Sequence, residues 1–221
     1  MGRDRQFYSH SVGMLLTRIT SMTQQMISSS DLFFGKKIII VHGYSASPSS
    51  HWFPWLKEVL TEQGAEVMVP AMPESLAPIP EMWAKMLTDV IPKADDDTIF
   101  IGHSLGCVTL LRHLEAISST ADRIGGYILV SGFDSPLESL PKLNIFTAEP
   151  LSYAFLREVT EHRISIISSN DYIVSPQSSH ALANSLQTKI INVDNAGHFL
   201  DREGFTRLLP VYDALKTIVS G

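Results

Sequence analysis

The chain has 221 residues, 44% of them hydrophobic and 18% charged, with a formal net charge of −6 at pH 7, which suits one sizeable soluble core. The acidic balance and the absence of a basic stripe argue against nucleic acid as a partner, and every apolar run falls far short of the roughly 18 residues needed to span a bilayer. One cysteine, Cys107, excludes an internal disulfide and suits a reducing compartment, so a cytoplasmic location is expected.

Residues 1–35 are rich in Ser, Thr, Met and Gln and read as a mobile N-terminal extension ahead of a domain over 36–221. Arg18 interrupts the patch from Val12 to Leu16, which speaks against a secretory signal, and Met22 and Met26 offer later starts. From Lys37 the hydrophobic period switches regularly. Strand-like runs at 37–41, 66–69, 98–101, 126–131, 163–168 and 188–193 alternate with helical patterns. That alternation predicts an α/β fold, a three-layer sandwich around a six-stranded, mainly parallel sheet.

The first helix, over 51–63, places Trp52, Trp55, Leu56, Val59 and Leu60 on one stripe and stops at Gly64. The second, over 80–91, opens with Pro80 and buries Trp83, Met86, Leu87 and Val90. The tryptophans therefore read as core. A third starts at Leu105, with Cys107 as a small buried hydrophobe on it, and the last, over 204–219, should kink at Pro210. Between Asp134 and His162 a segment with Pro136, Pro141 and Pro150 is the only material for a cap; it should form short helices over the site.

The pentapeptide Gly102-His103-Ser104-Leu105-Gly106 lies between a β-branched run and this third helix. In that context G-x-S-x-G is a nucleophile elbow: a strained turn stands Ser104 clear of the sheet at a helix N-terminus. The bland alternative is a glycine-lined turn whose serine caps the helix. A serine nucleophile needs a base and an orienting acid, here in the chain order Ser, Asp or Glu, His. Asp171 follows the strand at 163–168 and His198 follows the strand at 188–193, so all three would gather at the carboxyl ends of parallel strands. Asp134 satisfies the same order and competes with Asp171. His113 and His162 read as helix-surface residues, His103 flanks the nucleophile and His42 lies in the loop after the first strand. Donors for an oxyanion would be the N–H of Leu105 and that of Tyr44, with Ser45 as the competing neighbour.

The stretches Ile39-Ile40-Val41-His42-Gly43-Tyr44, His51-Trp52-Phe53-Pro54-Trp55-Leu56, Gly102 to Cys107, Ile128 to Phe133 and Gly197-His198-Phe199-Leu200 resemble the small YdeN-like serine hydrolases. Those are similar in turn to the retinoblastoma-binding protein 9 family of compact α/β-hydrolases. The resemblance spans nearly all of 37–221 and implies a hydrolase with Ser104, Asp171 and His198 as its triad. It names no substrate. A short cap favours small acyl esters, thioesters or amides, with Tyr44, Phe133, Ile173 and Phe199 as candidate pocket walls. No metal cluster or phosphate loop is visible, so no cofactor is implied. Two alternatives stand beside hydrolysis: a binding module on a hydrolase scaffold, and acyl transfer to an acceptor other than water.

Overall fold

The computed structural model describes residues 31–117 and 123–220. Six strands form one sheet: β1 (Lys37–Val41), β2 (Glu66–Met68), β3 (Thr98–His103), β4 (Gly126–Val130), β5 (Arg163–Ser168) and β6 (Lys189–Val193). All pairs are parallel and the order is β2-β1-β3-β4-β5-β6. The chain leaves β1 toward one edge and returns on its other side as β3, so the loops after these two neighbours diverge and leave a crevice.

Side chains alternate across each strand, and this alternation builds two cores. Ile38 and Ile40 of β1, Ile99 and Ile101 of β3, and Ile164 and Ile166 of β5 meet α1 (Phe53–Glu62) and α6 (Leu209–Ser220) on one face. Ile39, Val41, Phe100, Tyr127 and Leu129 meet α2 (Pro80–Val90), α3 (Leu105–Ala116), α4 (Tyr153–Glu158) and α5 (Pro176–Leu186) on the other. Trp52 and Trp83, each without exposed surface, belong to these two cores respectively.

Several local expectations are corrected. Trp55, Val59 and Met86 are only half-buried and Val90 is exposed, because each helix turns a narrower stripe inward than its apolar residues cover. Pro210 kinks nothing: α6 begins at Leu209, so the proline lies in the first turn, where its missing N–H has no helical acceptor. The residues ahead of it form a 3₁₀ turn (Asp201–Glu203) and a short connection. Of the expected mobile extension, residues 1–30 lie outside the described residues. Within 31–35, however, Phe33 is completely buried against Tyr212, and its N–H donates to the Gln63 carbonyl at 3.1 Å. The core thus gathers a residue from before the first strand.

His113 is not a surface residue. α3 is covered by the sheet beneath and by α2, α4 and the segment at 141–147 above, so its positions from Leu105 to Leu111 are buried and His113 with them. The ring lies 6.2 Å from that of Phe100, and burial pushes its pKa down to about 4, with the nearby Ile91 backbone opposing only part of the shift. His162 is exposed, as expected, but it is no helix residue: it lies in the connection directly before β5. Cys107 is buried as a free thiol, its Sγ donating to the Val130 carbonyl at 3.5 Å, and burial raises its pKa.

A folded-state pKa below the unfolded value means that the unfolded chain binds the extra proton first. Stability contributed by a neutral His113 is therefore complete above about pH 6.5 and is lost as the pH falls toward about 4. His42 and His103 are shifted in the same direction by burial. Urea midpoints should fall across this window, and His113→Leu should flatten the fall; an unchanged slope in the variant would refute the assignment.

Candidate active site

The loops following β1, β3, β5 and β6 meet at the carboxyl edge of the sheet around a cleft of about 610 Å³. Ser104 and His198 both line it, with Gly43 and Tyr44 from the loop after β1 and Ile173 from the loop after β5. Asp171 stands behind His198, 7% exposed.

Ser104 has φ 55° and ψ −122°, a left-handed conformation that a side chain rarely adopts and that costs on the order of 1–3 kcal/mol. Its N–H donates to the Val130 carbonyl at 2.9 Å, which ties the turn to β4. Its hydroxyl makes no capping bond to α3, so helix capping does not account for this serine. The chain can turn this sharply because Gly106 faces β1 without a side chain: a Cβ there would lie 2.0 Å from the Val41 carbonyl oxygen. Gly43 likewise lets the first loop approach, since its Cβ would stand 3.0 Å from that of Ser104.

His198 Nδ1 lies 2.7 Å from Asp171 Oδ2, with both side chains buried. The same oxygen accepts the Ser131 hydroxyl at 2.7 Å, while Oδ1 accepts the N–H groups of Ile173 and Val174, each at 2.9 Å. A carboxylate with four donors is held in place, and it fixes the proton of a neutral His198 on Nδ1. Nε2 is then left as the basic nitrogen. The competing acid is elsewhere: Asp134 accepts the Tyr153 hydroxyl, and burial, reinforced by this partner, pushes the Tyr153 pKa up to about 12.

Three positioning groups escape a reading of the sequence. The His198 N–H donates to Glu203 Oε2 at 2.9 Å, and the same oxygen takes the Leu200 N–H at 2.9 Å. On its other side the His198 carbonyl accepts from His103 Nε2 at 3.0 Å. His103 is buried among Trp52, Phe53 and His51, and burial, reinforced by the charge of a protonated His198, holds its pKa well below the usual range. One signal was available: His103 shares the inward face of β3 with Ile99 and Ile101, where an apolar residue is the norm. The third is His42. Its Nε2 accepts the Met72 N–H at 3.1 Å, so Nδ1–H donates to the Gly43 carbonyl at 2.9 Å and steadies the loop after β1.

The Ser45 N–H donates to the Ser75 carbonyl at 2.8 Å and is therefore committed. Among the described residues the amides of Tyr44 and Leu105 have no acceptor, and the Leu105 nitrogen is close to Gly43. Two of the expected pocket walls are not walls. Phe133 and Phe199 have no exposed surface: each is the apolar plug that fastens its loop to one of the two cores, Phe199 stacking edge-on against Phe205 at 5.4 Å. Tyr44 and Ile173 do line the cleft, joined by Leu140, Tyr172, Leu200, His51 and Arg202. The segment from 134 to 162 forms a 3₁₀ turn (Pro141–Thr147) and α4, but packs mainly beside α2 and α3. Only Ser139 and Leu140 reach the cleft, held by a 2.6 Å bond from Ser139 Oγ to the Ile173 carbonyl.

The sequence profile of the serine hydrolase family matches residues 38–217, a span that contains every residue just described. The chain belongs to that family. This serine hydrolase is 39% identical over 185 residues to YdeN of Bacillus subtilis, covering 84% of this chain and 97% of YdeN. The YdeN crystal structure superposes with a TM-score of 0.82 over 84% of this chain and all of that one. Serine hydrolase RBBP9 of Rattus norvegicus is 23% identical over 82% of this chain and 96% of its own length. Est1E of Butyrivibrio proteoclasticus, solved with ferulic acid bound, has a TM-score of 0.62 at 14% identity over 84% of this chain and 88% of that one, which shows a shared fold. The chain is thus an α/β-hydrolase enzyme. No helix among the described residues is long and apolar enough to cross a membrane.

Replacing Asp171 by Asn should free the wrong imidazole tautomer and lower ester turnover by about 10⁴. Asp134→Asn should change it little. Steady-state rates of the two variants on one activated ester decide the matter, and the reverse ranking would move the acid to the loop after β4.

Proposed function

We infer that the enzyme cleaves small acyl esters, thioesters or amides through an acyl-enzyme on Ser104. The observation that carries this reading is the 2.7 Å contact of Asp171 with His198 in a cleft whose floor is a serine on a strained turn. His198 Nε2 takes the Ser104 proton as Oγ bonds to the acyl carbon. The carbonyl oxygen becomes an oxyanion, for which the N–H groups of Leu105 and Tyr44 are free donors. Collapse of this intermediate breaks the bond to the leaving group, which departs with the proton from His198. Water then gives its proton to His198 and its oxygen to the acyl carbon. The second collapse releases the acid and returns the proton to Ser104.

Asp171 stabilises the imidazolium formed in each half without taking its proton. Glu203 and His103 hold the peptide of His198 from both sides, so the ring keeps its place as its charge changes. A cleft of about 610 Å³ is in the range of small-molecule sites. Its apolar surface comes from Tyr44, Leu140, Tyr172, Ile173 and Leu200, and among the described residues only Ser139 and Leu140 of the segment 134–162 reach it, too little to enclose a long chain. Small-molecule substrates follow from that size, and the buried free thiol of Cys107 supports a reducing, cytoplasmic setting. The catalytic domain on this reading is 36–221, with Phe33 packed onto it from outside.

A fluorophosphonate probe should label Ser104, and Ser104→Ala should lose both labelling and ester turnover while remaining about as stable, because alanine bears the same backbone strain and the lost hydroxyl makes no capping bond. Acetyl and butyryl esters should exceed long-chain esters in kcat/KM. Persistent labelling of the variant would overturn the nucleophile, and a preference for long chains would overturn the substrate class.

A further inference from the structure

Arg202 lines the cleft beside His198, and no carboxylate pairs with it among the described residues. This is unexpected for a cation flanked in sequence by two acids, in a chain of net charge −6. Both neighbours are committed elsewhere. The Asp201 carboxylate accepts the backbone N–H of Arg202 at 2.7 Å and lies 3.4 Å from the His51 ring, while Glu203 Oε2 holds the His198 loop. The one side-chain partner of the guanidinium is neutral: Nη2 donates to the Tyr172 hydroxyl at 3.2 Å.

That bond leaves the phenol its own proton. Tyr172 accepts from Arg202 with an oxygen lone pair, so its O–H remains a donor, and a guanidinium fork with several unused N–H groups stands next to it. A second cation repeats the arrangement. Lys142 donates to the hydroxyl of Tyr44, another wall of the cleft, with its ammonium 4.2 Å from the ring centroid, and it too forms no ion pair among the described residues. Two tyrosines that line the cleft are thus each held by an unpaired cation, and the donors they present suit an anion.

Building on the serine hydrolase reading above, we propose that the cleft selects acyl substrates that carry a carboxylate away from the scissile carbonyl, bound by Arg202 and Tyr172. A planar carboxylate matches the guanidinium fork, and Lys142 adds to the positive potential at the mouth. Asp201 does not compete for the fork because its own contacts turn it toward the backbone and His51.

The test compares charged and neutral partners of equal size on the full chain. On the acyl side these are the 4-nitrophenyl hemiesters of succinate and glutarate against their methyl diesters; on the leaving-group side, 3-carboxyphenyl acetate against its methyl ester. In one of the two arms kcat/KM should favour the carboxylate by at least about tenfold, the scale of a hydrogen-bonded charge contact, and the preference should shrink as salt is added. Arg202→Gln should bring the ratio to about one, and Tyr172→Phe should lower it part of the way. Equal rates for charged and neutral esters in both arms would overturn the proposal, as would a preference that survives Arg202→Gln. Failure to turn over any of these esters would instead overturn the hydrolytic reading on which it rests.

Discussion

The backbone of Gly106 rests against the carbonyl of Val41 with no room for a single carbon atom between them, and the arrangement of the site depends on that approach. It draws the first turn of α3 under the end of β1, so the loop after β1 passes beside the serine. Parallel pairing of β1 with β3, in which Val41 faces Gly102, sets the height at which this happens. A one-residue slip would carry Val41 away from Gly106 and Gly43 away from Ser104, and the loop after β1 would no longer stand beside the serine. Sheet register and the geometry around Ser104 are one constraint seen at two scales.

On the far side of the cleft the constraint is hydrogen bonding. Asp171 is saturated by donors from Ser131 just past β4, from its own loop and from His198, and the peptide of His198 is held through both its N–H and its carbonyl. The loops carry a conformational cost in return. Ser45, His51, Ser104, Ser131 and Phe199 all adopt φ values between 48° and 58° without being glycine. Such residues persist only where their surroundings over-determine them. Here the surroundings are the two buried phenylalanines, the glutamate behind the histidine loop and the strand ends, which together make a rigid frame around Ser104 and His198.

The sheet was legible because its strands are short apolar runs with β-branched residues, and the observed bounds differ from the runs by no more than two residues at either end. The order of Ser104, Asp171 and His198 along the chain was legible for the same reason: each follows a recognisable strand. What periodicity could not give was depth. His113 has the spacing of an outward residue, yet α3 has no outward side over most of its length. Phe133 and Phe199 stand next to the functional residues in sequence, but a large ring on a strand-end loop gains more from the core than from a cleft wall. Glu203 left no trace because its role is to accept two backbone amides, which any residue type can offer. Arg202 could be read only once the contacts of Asp201 and Glu203 were known.

The single thiol of the chain gives this architecture an internal reporter. Cys107 sits three residues past Ser104 with its sulfur close to Gly102 and Gly132 and no exposed surface, and its pKa is raised by burial. A thiolate-directed reagent finds neither access nor a nucleophile there until the turn between β3 and α3 has come away from β4. Alkylation kinetics of the unaltered protein therefore time the opening of the elbow, with no engineered label and no substrate. Any ligand that fills the cleft and holds the elbow closed slows that clock, which makes the cysteine a readout of occupancy even for compounds that are never turned over.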